Sequence, residues 1–269
     1  MIAMTDESPE STKLPRRFRL TVAYDGRPWT GWQSQVGGDT VQDQLLAALQ
    51  TIHPEITTVQ GSGRTDAGVS AIGQVAHFDV SADASLDAGA WLRALNTRLP
   101  TSIRIMGSAE VTPDFHARFS ARAKTYRYRL WTGPVLPPLE AGVAWHVPRL
   151  GDRVTLSEAL NAFVGRHDFR AFSANRGDGK DADRDTEREL FEISTQEGDD
   201  WLEITYTGNG FLYKMVRFLT GSAVRAAQGK LEVSGINALL KGVSGSEKAP
   251  YCAPADGLML IEVLYPESA

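Results

Sequence analysis

Cysteine is nearly absent from this 269-residue chain, and long apolar runs are absent altogether. Cys252 is the only cysteine, so no disulfide can form within the chain. No His or basic residue stands beside it in the sequence, and we therefore expect a packing residue and not a nucleophile. There is neither an apolar signal segment at the start nor an apolar run of about 20 residues that could span a membrane. We expect a chain that works in the reducing cytoplasm.

The sequence also lacks the patterns of a metal site. No clustered carboxylate motif of a metal-dependent hydrolase appears, and the histidines do not have the spacing that metal ligands need. We therefore predict a site without a metal ion. The scattered histidines are His53, His77, His116, His146 and His167.

Acidic residues slightly outnumber basic ones, but the two signs are unevenly distributed. The formal net charge of −5 at pH 7 argues mildly against an anionic partner. Acidic residues crowd into positions 178–203, whereas positions 118–129 contain no Asp or Glu. Local charge steers a polyanion, so a nucleic acid stays a candidate partner. The alternative is a solvated strand face that acids elsewhere neutralise. The basic residues are Arg118, Arg122, Lys124, Arg127 and Arg129, with a second cluster at Arg16, Arg17 and Arg19.

The most informative segment reads GSGRTDAGVSAIGQVAHFDV, positions 61–80, and holds Asp66 in a glycine-flanked turn ahead of a strand. Glycines permit backbone conformations closed to other residues, and Thr65 and Asp66 can bond nearby amides, which favours a tight loop. Arg64 could neutralise Asp66 or point away into a polyanion. An Asp in such a turn can also do no more than cap its own backbone. Ala76, Phe78 and Val80 alternate with more polar neighbours, as in a half-buried strand.

Two better-known glycine loops do not fit this segment. Gly63 and Gly68 have the spacing of a phosphate-binding loop, but Val69 and Ser70 follow where that motif needs Lys and Ser or Thr. A dinucleotide-binding fingerprint would need a third glycine and a following helix.

With 42% hydrophobic residues the chain can bury a sizeable core, and its patterns predict two α+β halves. We expect a disordered lead at 1–15, an N-terminal half at 16–112 and a C-terminal half at 113–269. The charged, Gly-rich stretch at 174–185 is expected to be a mobile surface loop. Predicted strands cover 17–24, 57–61, 75–80, 102–105 onwards, 125–131, 190–194, 201–207 and 257–265. Predicted helices cover 41–52, 88–99, 156–164, a segment from 211 onwards and 235–240.

Two further residues gain meaning from these elements. In the strand TYRYRLW, Tyr126 and Tyr128 share one face and Arg127 takes the other. Tyr128 is expected to lie in the core, whereas the pattern leaves open whether Tyr126 is a core residue or a stacking platform. The apolar helix after residue 210 carries Arg217 but has no acid between Glu203 and Glu232, so the counter-ion must come from elsewhere. Asp66 is the predicted partner, and the alternatives are a structural acid or an arginine whose side chain extends to solvent.

Together, GRTDAGV, GQVAHFD, FHARFSARAKTYRYRL and GFLYKMVR resemble the bacterial tRNA pseudouridine synthase A family. YDGRPWTGWQSQ, the TVQ helix start, GRHDFRAFS and APADGLMLIEVLY are similar to it as well, so the resemblance spans 18–265. It implies the α+β pseudouridine synthase fold, with two ferredoxin-like halves and an active-site cleft between them. It also implies a homodimer that needs no cofactor and isomerises uridine at positions 38, 39 and 40 of the tRNA anticodon arm.

The same resemblance assigns roles to individual residues. Asp66 would be the catalytic aspartate, Tyr126 the active-site tyrosine, Arg217 the aspartate-pairing arginine and Arg64 the base-flipping arginine. Basic residues near the site would bind the RNA, and we expect Arg118, Lys124, Arg127 and Lys214 among them.

The chain departs from the family pattern at Ser70, at Lys214 and in an acidic stretch. Family members often carry His where Ser70 stands, and His or Asn where Lys214 stands, which affects details of RNA contact. The acidic stretch at 178–189 could alter which tRNAs fit.

Two rival functions remain. A catalytically silent tRNA-binding relative is one rival, against which the intact catalytic set argues. A metal-dependent hydrolase acting on RNA is the other, and the histidine spacing supports it poorly.

Overall fold

One mixed sheet forms the centre of the fold. The computed structural model describes residues 14–175, 177, 179, 184–242 and 247–266. Within these residues ten strands share the sheet, which runs in the order β4-β1-β3-β10-β5-β9-β8-β7, with β2 added to β3 and β6 to β5. The strands are β1 (Arg16–Tyr24), β2 (Gln60–Gly61), β3 (Ser70–Val80), β4 (Ile103–Val111), β5 (Ala123–Trp131), β6 (Trp145–His146), β7 (Gly165–Asp168), β8 (Glu187–Glu197), β9 (Trp201–Gly208) and β10 (Leu258–Leu264).

Five helices accompany the sheet in the described part of the chain. Two of them begin at side-chain caps, since Thr40 accepts a hydrogen bond from the Asp43 amide and Asp87 accepts one from the Ala90 amide. None of the described helices is long and apolar enough to cross a membrane. They are α1 (Val41–Gln50), α2 (Ala88–Asn96), α3 (Arg153–Asn161), α4 (Met215–Ala227) and α5 (Val233–Leu240).

The last strand joins the N-terminal and C-terminal parts of the sheet. β10 pairs in parallel with β3 and antiparallel with β5. The boundary expected near residue 112 falls in the connection between β4 and β5, and the sheet continues across it. The division into two halves stays a prediction, whereas the α+β class is confirmed. The expected lead falls mainly on residues 1–13, and the expected mobile loop falls partly on 176, 178 and 180–183; both sets lie outside the described residues.

Several elements differ from their sequence-based prediction. The helix expected from residue 211 begins at Met215, because Lys214 has φ = 60° and an α-helix cannot continue through a left-handed residue. β2 is limited to Gln60–Gly61. Burial does not alternate along residues 73–78 of β3, because all six residues are buried on both faces of the sheet. The Ala117 amide donates to Nδ1 of His77 and so covers the face expected to be polar.

Candidate active site

A cleft of about 1080 Å³ is lined by residues from both sides of the connection between β4 and β5. Its described lining includes five Lys or Arg residues and one carboxylate, that of Asp66. The cleft is therefore strongly positive although the whole chain carries a formal charge of −5. Small-molecule pockets are typically about 300–1,000 Å³, so this cleft has room for a nucleotide and part of its neighbours. The basic residues are Arg64, Arg118, Lys124, Lys214 and Arg217.

The backbone of the loop that carries Asp66 is fixed from two sides. The Trp32 amide donates to the Thr65 carbonyl over 3.1 Å, and the Val69 amide closes a turn onto the Asp66 carbonyl over 3.1 Å. Gly68 has φ = 82°, a conformation that suits glycine and ends the turn. The Tyr24 hydroxyl lies 2.8 Å from Oγ1 of Thr65. The expected tight loop is present, and Asp66 projects from a backbone with little freedom to move.

A buried glutamine anchors the other arm of the loop. Nε2 of Gln74 donates to the Gly63 carbonyl over 3.0 Å, and its Oε1 accepts from the Ser62 hydroxyl over 2.7 Å. Nζ of Lys124 donates to the Ser62 carbonyl over 2.6 Å. Burial, aided by the nearby positive charges of Arg118 and Arg188, lowers the pKa of Lys124 to about 8. Polar groups of this loop are thus satisfied by β3 and β5, the two strands beneath it.

The predicted ion pair between Asp66 and Arg217 is present. Nη1 of Arg217 donates to Oδ2 of Asp66 over 2.8 Å, and each side chain is 15% exposed. Nε of the same guanidinium donates to the Ala253 carbonyl over 2.7 Å, so the fork of donors is held on both sides. Hydrogen bonds between oppositely charged groups are shorter and stronger than neutral ones, so the arrangement orients the Asp66 side chain firmly inside a cationic cleft.

Tyr126 lies on β5 with its ring in the lining of the cleft. Phe211 packs against it edge-on, with ring centroids 4.9 Å apart. Burial, and to a smaller extent the nearby Tyr24 and Asp66, raises the pKa of Tyr126, so its hydroxyl stays protonated at neutral pH. Tyr128 is buried and donates to the Pro254 carbonyl, which confirms that it is a core residue.

The structure brings most of the expected RNA-binding residues to the cleft but not all of them. Arg64 is exposed in the lining and donates through Nε to Oε1 of Gln33 over 3.1 Å, whereas the ion pair of Asp66 is made with Arg217. Arg118, Lys124 and Lys214 also line the cleft.

Arg127 lies outside the cleft lining, because strand alternation places it on the other face of β5 from Tyr126. Its Nη1 lies 3.5 Å from Oε2 of Glu203. Its neighbour Arg129 pairs with Glu140 and Glu203. The contacts of these two arginines are those of a solvated strand face that acids neutralise, which was the alternative to RNA binding. The same holds for Arg16 and Arg17, whose partners are Glu110 and Asp79.

Sequence reasoning missed several polar residues that shape the site. Gln33 donates to Oε1 of Gln42 over 2.7 Å, and Gln42 donates to the Val59 carbonyl over 2.7 Å, which forms a chain of amides behind Arg64. Gln74 and Ser62 were also passed over. The signal available for Gln74 was a polar residue on the strand face that Ala76, Phe78 and Val80 make apolar. Gln33 stands in the motif WQSQ, which had been used only for the resemblance.

Three residues near the site have other roles. Ser70 accepts a hydrogen bond from the Gly26 amide over 3.0 Å and stabilises the turn after β1. Burial raises the pKa of Cys252, which fits a packing residue and not a reactive thiol. Lys214 lies with its Nζ 5.1 Å from the ring centroid of Tyr213. Across the described residues, His, Cys, Asp and Glu side chains form no group of three or more that could hold a metal ion.

Comparison with known proteins identifies the family of the chain. The family described as tRNA pseudouridine synthase matches residues 20–120 and 159–266. A tRNA pseudouridine synthase A of Akkermansia muciniphila is 47% identical over 253 residues, which cover 93% of this chain and 96% of that protein. Proteins of the same name from Herminiimonas arsenicoxydans and Syntrophotalea carbinolica are 39% and 38% identical over 93% and 92% of this chain, and 90% and 95% of their own lengths. The chain therefore belongs to the tRNA pseudouridine synthase family.

Proposed function

We propose that this protein isomerises uridine to pseudouridine at positions 38, 39 and 40 of the tRNA anticodon arm, with Asp66 as the catalytic carboxylate. The observation that carries the proposal is the ion pair of Asp66 with Arg217 inside a cleft that is otherwise basic. A carboxylate that faces a polyanion weakens binding, so its placement among cations makes sense where the carboxylate serves a reaction. Membership of the family supports the same activity.

The reaction rearranges one nucleoside without a net change in oxidation state. The N1–C1′ bond of uridine breaks, the uracil turns, and C5 bonds to C1′. The proton on C5 is then lost to solvent, and N1 carries a proton in the product. An ionised carboxylate can attack the reacting nucleoside or stabilise positive charge that develops on the sugar. We assign Asp66 this place in the reaction and leave both chemical roles open.

The other cleft residues prepare the nucleotide for that carboxylate. A uridine in a stem must leave its base stack, which costs a few kcal/mol. Arg64, exposed at the cleft and braced by Gln33, would fill the vacated space or hold a phosphate. Tyr126 would lie against the uracil, because its ring lines the cleft beside Phe211. Arg118, Lys124 and Lys214 would contact RNA phosphates.

Arg217 acts through Asp66 and not on the RNA. Its two hydrogen bonds, to the carboxylate and to the Ala253 carbonyl, fix the angle of the aspartate and compensate its charge in a partly desolvated site. Recognition of the anticodon arm would rest mainly on shape and backbone charge, because cationic side chains contact phosphates without reading sequence.

Three finer expectations belong to this proposal. We infer that the enzyme acts as a homodimer in the cytoplasm and requires no cofactor. Light scattering during size-exclusion chromatography measures the mass in solution, and a monomer at micromolar concentration would contradict the dimer.

Mapping the product tests the activity and its site together. The protein is incubated with unmodified tRNA in the presence of a chelator, and pseudouridine is located by its base-stable carbodiimide adduct, which stops reverse transcription. We expect stops that report pseudouridine at positions 38 to 40 in tRNAs that carry uridine there. Tight tRNA binding without any pseudouridine would overturn the proposal and leave a binding protein. Loss of product with the chelator would contradict the metal-free reaction.

A further inference from the structure

Phe119 exposes an aromatic ring at the edge of the cleft. The residue is 75% exposed, yet it belongs to the cleft lining together with His116 and Arg118. An exposed phenylalanine contributes little to the core of its own chain, since its apolar surface stays in water. Its neighbour Phe115, four positions earlier, is in contrast buried and packs on Tyr265 with ring centroids 5.0 Å apart.

The turn that carries Phe119 is rigid. The Tyr265 hydroxyl donates to the Ala117 carbonyl over 2.6 Å, and the Ala117 amide donates to Nδ1 of His77 over 3.1 Å. At the other end the Ser120 amide donates to the His116 carbonyl over 2.9 Å, and the His116 amide donates to Oγ of Ser120 over the same distance. The exposed ring therefore projects from a backbone held at both ends.

His116 braces the ring from behind. Its Nδ1 accepts from the amides of Arg118 and Phe119 over 3.1 and 3.3 Å, so Nε2 carries the proton that is donated to Oε1 of Gln60 over 2.9 Å. Burial and the nearby charges of Arg17 and Arg118 lower the pKa of His116, which fits this neutral form. The imidazole lies 4.3 Å from the Phe119 ring at a tilt of 38°. One aromatic group thus supports another that faces the cleft.

We propose that Phe119 is a stacking platform for an unpaired base of the anticodon loop, next to the uridine that enters the site. The statement rests on the proposed function, because it takes the anticodon arm as the substrate. Bases have flat apolar faces flanked by phosphates, and proteins bind unstacked RNA bases on aromatic rings beside cationic side chains. Here the Arg118 guanidinium carbon lies over the Phe119 ring, 5.5 Å from its centroid, so a cation already accompanies the exposed aromatic ring.

The charge of the cleft favours a nucleic-acid base over an apolar protein segment. Five basic side chains and one carboxylate line the same cleft, which suits a polyanion and repels a basic peptide. The cleft is also larger than one nucleotide needs, so a neighbouring base can enter with the target. A loop base next to a flipped nucleotide has lost one stacking partner, and Phe119 would replace it.

The test compares Phe119→Ala and Phe119→Trp with a matched control, Phe191→Ala. Phe191 is also an exposed phenylalanine, at 49%, but it lies on β8 outside the cleft lining. We expect Phe119→Ala to raise KM for an anticodon-arm hairpin by about 5- to 150-fold, the loss of one base–aromatic contact. Because Phe119 does not touch the reacting atoms, kcat should stay within about threefold. Phe119→Trp keeps an aromatic face and should keep KM, and Phe191→Ala should resemble the wild type.

A fluorescent base reports the stacking directly. 2-Aminopurine replaces each loop base of the hairpin in turn, and binding to the wild type should quench it at one position. The quench should persist in Phe119→Trp and Phe191→Ala and disappear in Phe119→Ala. A wild-type KM for Phe119→Ala would overturn the proposal. A quench in Phe119→Ala that equals the wild-type quench at every position would overturn it as well. Binding and quenching without conversion by the wild type would refute the isomerase and leave the stacking contact standing.

Discussion

Arg217 donates a 2.8 Å hydrogen bond to Asp66 across 151 positions of sequence. The same guanidinium bonds the Ala253 carbonyl, so one side chain connects α4, the Asp66 loop and the segment before β10. These segments come from both ends of the chain and meet only in the folded protein. The pair therefore couples the stability of the fold to the orientation of the carboxylate.

Arg217→Ala should impair both the fold and the reaction. The change leaves a partly desolvated carboxylate without its partner, which we expect to cost about 1–3 kcal/mol of unfolding free energy. Without the positioned charge, turnover should fall by at least about 100-fold. Thermal unfolding and initial rates at saturating tRNA measure the two effects.

The pairing itself is isolated by a second substitution. Adding Asp66→Ala to Arg217→Ala removes the unpaired carboxylate, so part of the lost stability should return. Arg225→Ala is the control on the same helix, because Arg225 stacks on Tyr251 and lies outside the cleft lining. It should reduce stability without abolishing turnover. An unchanged melting temperature of Arg217→Ala together with full activity would refute the pairing.

Gln74→Leu should loosen the loop that carries Asp66. The substitution keeps a similar volume but removes the partner of the Ser62 hydroxyl and of the Gly63 carbonyl, at about 1–3 kcal/mol for each group left unsatisfied. A small displacement of a catalytic group can cost about 100-fold in rate, so kcat should fall by about 10- to 100-fold. tRNA affinity should change little, since Gln74 is buried.

Ser62→Ala provides the graded comparison for Gln74→Leu. It removes only the hydroxyl, and Gln74 retains its bond to the Gly63 carbonyl. The loss in kcat should accordingly be smaller than for Gln74→Leu. Equal kcat in both variants and the wild type would show that these bonds do not position Asp66.

The affinity for tRNA should fall as the pH rises through about 8. The pKa of Lys124 is lowered to about 8, so its amine is mostly charged at pH 7 and mostly neutral at pH 9. Nearby phosphate favours the charged form and raises the pKa in the complex. The contribution of Lys124 to binding is thus fully present below its pKa in the free protein and is lost as the pH passes its pKa in the complex.

Lys124→Met tests the source of this pH dependence. The variant should bind more weakly at pH 7, and its dissociation constant should change less between pH 7 and pH 9 than that of the wild type. The dissociation constants can be measured with a labelled hairpin at fixed ionic strength, because salt alone weakens phosphate contacts. Parallel pH profiles for the two proteins would assign the effect to another group.

The pairing of Asp66 and Arg217 could be predicted from sequence because a mostly apolar helix without acids forces its arginine to find a distant counter-ion. Most strands and helices followed from their apolar periodicity, as the strand around Tyr126 shows, whereas β6 and β7 did not. The start of α4 could not be predicted, because a left-handed Lys214 is set by packing and not by local propensity. That conformation moves the first helical residue from 211 to Met215.

Other parts of the site depend on tertiary contacts that one sequence does not reveal. Arg127 and Lys124 are both basic residues of one strand, yet only Lys124 reaches the cleft, because a period of two sends them to opposite faces. Which face meets the cleft is decided by the packing of β5 between β10 and β9. Gln74 was overlooked for the same reason, since its two partners lie eleven and twelve positions earlier.

The most direct test of the account is tritium release from tRNA transcribed with 5-tritiated uridine, with wild type and Asp66→Ala compared side by side. Bond formation at C5 expels the tritium, so the signal follows the isomerisation itself. We predict release by the wild type and only background release by Asp66→Ala. The variant should bind tRNA within about tenfold of the wild type, because the carboxylate serves the reaction. Release by Asp66→Ala at the wild-type rate would contradict the assignment of Asp66.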